Sequence, residues 1–139
     1  MIICVALDDN NGMLFNNRRQ SQDKILRDNL LNESKSSRLW MNEYSMKQFV
    51  EQIPENVVVD NDFMDKASID DYCFVEDVLL ANYENKISKL IIYKWNRVYP
   101  TDMYLDIDLS NGGWNMESTE EFVGNSHKLI TKEVWINEK

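Results

Sequence analysis

From Met1 to about Lys89, short apolar runs alternate with segments of helical period, and that alternation is the strongest constraint on what this chain can fold into. Met1-Ile2-Ile3-Cys4-Val5-Ala6-Leu7 is apolar throughout, the pattern of a strand covered on both faces, and it ends in the turn cluster Asp8-Asp9-Asn10-Asn11-Gly12. A polar loop, Asn16-Asn17-Arg18-Arg19-Gln20, follows. Ser21 can then cap a helix running to about Glu33, with Ile25, Leu26, Asn29 and Leu30 turned inward. Arg38-Leu39-Trp40-Met41 reads as a short strand, and Asn42 as the cap of a second helix. In that helix Met46, Phe49, Val50 and Ile53 follow the i, i+3, i+4, i+7 rule until Pro54 stops it. Val57-Val58-Val59 and Tyr72-Cys73-Phe74-Val75 are further buried strands, separated by a helical turn or two around Phe63, Met64 and Ala67. Strands separated by helices pair in parallel through crossover connections.

Beyond Lys89 the pattern changes. Leu90-Ile91-Ile92-Tyr93 is a strand, and Tyr104-Leu105-Asp106-Ile107-Asp108-Leu109 alternates as a half-exposed strand does. Residues 114–122 and 127–136 flank Gly124-Asn125, which predicts an antiparallel hairpin closing one edge of the sheet. With no linker, repeat or low-complexity tract, residues 1–139 read as one α/β domain with a mixed sheet.

Composition removes several functions. The net charge of −9 argues against general affinity for nucleic acid or an anionic membrane. The four glycines are Gly12, Gly112, Gly113 and Gly124, so a glycine-rich phosphate cradle has no place between them, and neither the Walker pattern nor GxGxxG occurs. A single histidine, His127, cannot build a multi-histidine metal centre. The apolar start is too short for a signal peptide or a membrane span. Cys4 and Cys73 lie in strand-like runs and read as buried reduced thiols, so a cytoplasmic protein is expected.

The order of elements, with some local sequence, resembles bacterial dihydrofolate reductase over most of the chain. Val5-Ala6-Leu7-Asp8-Asp9-Asn10-Asn11-Gly12 is similar to that family's opening strand and glycine-containing loop. Asp23 lies where the family places the carboxylate that handles substrate protonation. Leu39-Trp40-Met41-Asn42-Glu43-Tyr44-Ser45 aligns with the strand ending in Met-Gly-Arg-x-Thr, and residues 72–77 with the central strand ending in Gly-Gly. The closing hairpin with Asn125-Ser126-His127 matches the last two strands. The resemblance implies a three-layer domain with a mainly parallel mixed sheet and a C-terminal antiparallel hairpin.

It also implies where the family's chemistry is missing. The phosphate-gripping Gly-Arg-x-Thr reads Asn42-Glu43-Tyr44-Ser45, so an anion replaces the cation and only the Ser45 hydroxyl survives. The Gly-Gly pair reads Glu76-Asp77. Carboxylates at contact distance from a pyrophosphate repel it by several kcal/mol in order of magnitude. No cofactor is therefore expected, and a reductase without its hydride source has no reaction to run. Asn11-Gly12-Met13-Leu14-Phe15-Asn16, Lys94-Trp95-Asn96-Arg97-Val98-Tyr99-Pro100 and Ser118-Thr119-Glu120-Glu121-Phe122 also resemble small bacterial proteins labelled ribonuclease Z. That label needs an HxHxDH cluster and further histidines on two zinc ions, which His127 alone cannot supply.

Three constellations remain. Arginines beside a helix N-terminus bind anions, so Arg18, Arg19, Gln20 and Asp23, with Ser45, are the candidate ligand site, Asp23 being the candidate acid or base. Asp23 also suits a first helical turn on dipole grounds alone. Residues 94–100 alternate cations and aromatics, and Trp95 and Tyr99 are expected to pack on the core or form a local interface. Asp60, Asp62, Asp65, Asp70 and Asp71, and separately Asp106 and Asp108, lack the EF-hand order and read as solvated faces. His127 has no sequence-local partner and no serine sits in a GxSxG motif, so His127 reads as a hairpin residue. The reading that follows is a protein without reductase activity that binds an unidentified small molecule or protein. The alternative is an enzyme with reassigned chemistry in the same cleft, using Asp23 as acid or base and Arg18 or Arg19 to hold an anion.

Overall fold

The first strand of the chain, β1 (Ile2–Leu7), lies in the middle of a seven-stranded sheet. The computed structural model describes residues 1–49 and 53–139. β1 pairs in parallel with β6 (Tyr72–Phe74) on one side and β7 (Lys89–Lys94) on the other. Outward from β6 come β4 (Leu39–Met41) and the edge strand β5 (Val57–Val59), also parallel. Outward from β7 come β10 (Ile130–Asn137) and the opposite edge strand β9 (Trp114–Phe122), both antiparallel. A strand flanked and covered in this way has no face for polar side chains, which is why β1 carries none.

Successive β1 residues serve opposite layers. Ile3, Val5 and Leu7 join Phe63, Met64, Leu80 and Trp114 in one core, while Cys4 joins Leu26, Leu30, Phe49 and Tyr93 in the other. The second layer is roofed by α1 (Lys24–Glu33), which presents Leu26 and Leu30 one turn apart. On the first face lie α3 (Phe63–Lys66), a 3-10 turn at Ala81–Lys86, and a small sheet of β2 (Gly12–Phe15), β3 (Arg18–Arg19) and β8 (Met103–Tyr104). Sheet and two covering layers give the expected three-layer α/β domain with its C-terminal hairpin.

Several local expectations change. The cap of α1 is Asp23, not Ser21: its carboxylate accepts from the Ile25 and Leu26 amides at 2.9 and 3.3 Å. Ile25 faces outward, at 37% exposure. Asn42 does cap its helix, accepting from the Ser45 amide at 2.9 Å, but α2 is the single turn Glu43–Met46. Phe49 is buried and Ile53 is exposed, and Val50 lies outside the described residues. The expected strand 104–109 shrinks to β8, because Asp106 instead accepts from the Leu80 and Ala81 amides and holds that segment down. His127 precedes β10 rather than belonging to it.

The polar loop after β2 is a tight hairpin. Phe15 faces Arg18, and the two residues between them, Asn16 and Asn17, have φ of 56° and 60°. Asparagine tolerates that left-handed pair better than other side-chain-bearing residues, so the turn needs no glycine. Asp71, expected on a solvated face, is buried, where it accepts from Trp40 Nε1 at 2.9 Å and meets Arg38 at 3.0 Å. Cys4 and Cys73 are buried free thiols, and burial pushes the Cys73 thiol up to about 12, out of reach of ordinary redox chemistry. No helix among the described residues is long and apolar enough to cross a membrane.

Candidate functional site

The C-terminal ends of β1, β4 and β6 face the β2–β3 hairpin, and of the residues singled out from sequence Arg19, Gln20 and Glu76 meet there. Arg19, on β3, reaches across to Glu76, just past β6. Its Nε donates to Glu76 Oε2 at 2.9 Å and one terminal nitrogen donates to Oε1 at 3.2 Å. The guanidinium lies 4.4 Å from the centre of the Tyr44 ring and donates to the Tyr44 carbonyl at 3.0 Å, and the Arg19 amide donates to the Tyr44 hydroxyl at 2.7 Å. Burial by itself would lower the Arg19 pKa, but the Glu76 hydrogen bond and charge outweigh it and raise it further. The arginine proposed as an anion binder is thus joined to a carboxylate proposed to repel anions.

The neighbouring positions close in the same way. Asn42 Nδ2 donates to Asp77 at 2.7 Å, linking the end of β4 to the end of β6. Ser45 is fully buried, and its hydroxyl has no hydrogen-bond partner among the described residues. Glu43 and Arg18 are exposed. Gln20 donates to Thr101 at 2.6 Å, while its Oε1 is buried without a partner among the described residues. Between Ala6, Arg19, Gln20, Leu26, Phe74 and Glu76 lies a cavity of about 10 Å³. That is the space of roughly one water.

Asp23 turns away from this cleft toward a corner that sequence reasoning missed. Besides the two α1 amides, its Oδ2 accepts from the Asn125, Ser126 and His127 amides at 2.9, 2.8 and 3.2 Å. The Ser126 hydroxyl adds a contact at 3.2 Å, and His127 Nδ1 lies 3.1 Å from the same oxygen. Burial works against the charged carboxylate here, but these hydrogen bonds prevail and hold Asp23 well below the usual carboxylate range. On the other side of the ring, His127 Nε2 lies 3.1 Å from Ser21 Oγ and 3.0 Å from the Tyr99 hydroxyl. Trp95 stacks on the imidazole at 4.5 Å, and with Trp95 buried and Tyr99 half-buried the 94–100 segment is packed as expected. Ser21 and Asp23 precede α1, Tyr99 follows β7 and His127 precedes β10, so only the folded sheet brings them together. Such groups are recognised by position in space, and their separation along the chain left no signal to find.

This architecture has a counterpart among solved structures. Dihydrofolate reductase from Enterococcus faecalis, solved in complex with NADP(H) and RAB-propyl, superposes with a TM-score of 0.71 over 99% of this chain and 96% of that one. The fold is that of dihydrofolate reductase. Sequence identity is 10%, so the likeness concerns the dihydrofolate reductase fold and not its chemistry. No protein-family model matches the sequence, and no curated protein matches it. Among the described residues no group of three or more His, Cys, Asp or Glu side chains is placed to hold a metal ion.

Proposed function

We propose that this chain is a dihydrofolate reductase-like protein that has lost NADPH binding and reductase activity and acts as a binding module for a small ligand or a protein. The observation that carries this reading is the Arg19–Glu76 pair. On the resemblance, Glu76 stands where the family's cofactor pyrophosphate approaches glycine, and it is fixed to Arg19 by a two-point ion pair. The argument for exclusion thereby adds a steric part to the charge, because a dinucleotide meets a paired side chain where the family offers a glycine. A dinucleotide would have to displace Arg19 from both Glu76 and the Tyr44 ring and then leave Glu76, 9% exposed, facing a phosphate. Breaking this partly exposed pair and stranding one charge costs about 2–4 kcal/mol, a loss of roughly 30- to 1,000-fold in affinity.

The test is titration of NADPH against the protein, followed by its fluorescence and by the melting temperature. The expected result is no saturable change up to millimolar NADPH. Micromolar binding overturns the reading. A metabolite melting-shift screen on the parent and Arg18→Ala then asks whether the exposed β3 arginine contributes to a ligand site.

The second reading, an enzyme with reassigned chemistry, is favoured by one observation: the contact of Asp23, His127 and Ser21 in series. Arg19, tied to Glu76, is not part of it.

A further inference from the structure

The corner at Ser21 holds the parts of a nucleophilic relay. The Asp23 carboxylate is buried, fixed by five backbone amides across two segments, and ionised. The Asp23 carboxylate at 3.1 Å accepts from His127 Nδ1, which fixes the tautomer in which Nε2 carries the lone pair. That lone pair faces two hydroxyls, Ser21 Oγ at 3.1 Å and Tyr99 at 3.0 Å. Stacking on Trp95 fixes the plane of the ring. Ser21 is half-buried, and it borders the cavity next to Gln20, whose Oε1 has no partner among the described residues.

We propose that Ser21 is an acyl-accepting nucleophile, with His127 as its base and Asp23 as the positioning residue behind it, and that the pair hydrolyses small carboxylic esters. This inference rests on the second reading given above. In the first step Ser21 Oγ bonds to the ester carbonyl carbon and its proton passes to His127 Nε2. The bond from that carbon to the leaving alcohol breaks, and the same proton goes to the alcohol oxygen. In the second step water attacks the acyl carbon, gives one proton to Nε2, and the bond to Oγ breaks as Oγ takes the proton back. Once Nε2 is protonated, the Tyr99 hydroxyl can no longer donate to it and becomes a donor for the developing oxyanion. The cavity of about 10 Å³ beside Ser21 has room for roughly one water and not for an acyl group, so the ester approaches Ser21 from its exposed side. With a net charge of −9, neutral or cationic alcohols are preferred to anionic ones.

The experiment uses the whole chain, a fluorophosphonate and 4-nitrophenyl acetate. Expected are a phosphonyl adduct that peptide mass spectrometry locates on Ser21, and hydrolysis lowered at least a hundredfold in both Ser21→Ala and His127→Gln. Adduct mapping needs no variant, so it stands even where a substitution weakens the fold. No adduct on Ser21 in protein with an intact melting transition overturns the proposal. Hydrolysis by Ser21→Ala at the parent rate overturns it too. Neither result removes reassigned chemistry in the cleft, which is judged separately by ligands whose melting shifts depend on Arg18.

Discussion

Asp23→Asn separates the two jobs that one carboxylate performs. Oδ1 accepts from the Ile25 and Leu26 amides and so caps α1, whereas Oδ2 alone accepts from the Ser126 and His127 amides. An asparagine amide can keep its oxygen toward the helix, but it then turns an NH₂ group toward amides that also donate. His127 can adapt by moving its proton to Nε2 and accepting at Nδ1, since Ser21 and Tyr99 can accept as well as donate. The two backbone amides cannot adapt. A buried amide stripped of its acceptor, as at His127, costs about 1–3 kcal/mol, and the part-buried Ser126 amide costs less, so the substitution is expected to cost about 1–4 kcal/mol. For a chain of this size each kcal/mol lowers the melting temperature by roughly 3–4 °C, giving a fall of roughly 3–16 °C. Thermal melts by circular dichroism at neutral pH supply that number, and amide exchange supplies its location: residues 125–127 lose protection while the first turn of α1 keeps it. A fall below about 2 °C, or equal loss of protection in α1, would refute the division of labour between the two oxygens.

Other expectations follow from the same geometry. Arg19→Ala leaves Glu76 without its partner and is expected to cost about 2–4 kcal/mol, discounted from a fully buried pair because Arg19 keeps 19% exposure. Urea melts of Arg19→Ala, Glu76→Ala and the double variant should then give a favourable coupling between the two sites, and additive losses would deny the pairing. Gly124→Ala places a Cβ 2.7 Å from Asp23 Oδ2 and 2.8 Å from the His127 carbonyl, so it should lower stability by about 1–3 kcal/mol as measured by chemical denaturation. Asp8, Asp23 and Asp71 are all depressed in the folded state, by hydrogen bonds that overcome the opposing effect of burial. Their contribution is complete above the unfolded carboxylate value near 4 and is lost as the pH falls through their folded values. Melting temperature should therefore be flat near neutrality and fall below about pH 4, with a shallower fall in Asp23→Asn.

The strand and helix order was legible because a doubly covered parallel sheet writes its strands as unbroken apolar runs, as in Ile2–Leu7 and Lys89–Lys94. Local chemistry was legible where partners are close in sequence, as with the Asn42 cap and its Ser45 amide. It failed where a polar side chain takes a distant partner. Ser21 read as the cap and Asp23 as a first-turn residue, but Asp23 is the cap, held in place because its second oxygen also accepts from Asn125, Ser126 and His127. The alternation at 104–109 looked like a strand, but it reflects Asp106 bonding to Leu80 and Ala81 and Ile107 turning into the core. At the cleft, Glu43, Glu76 and Asp77 were read as three repelling charges. Pairing of Glu76 with Arg19 lies 57 residues apart along the chain and had no local signature.

The central position of β1 has a consequence for how the chain is made. β1 leaves the ribosome before its neighbours in the sheet, Tyr72–Phe74 and Lys89–Lys94. At about 5–20 residues per second, an apolar strand with unused hydrogen-bonding groups on both edges waits several seconds for its first partner. Its second neighbour comes later still, and β10, which covers the far side of β7, is the last of the sheet's strands to be made. Refolding of the same chain carries no such delay, so folding during synthesis leaves β1 unpaired for a time that folding from denaturant does not impose.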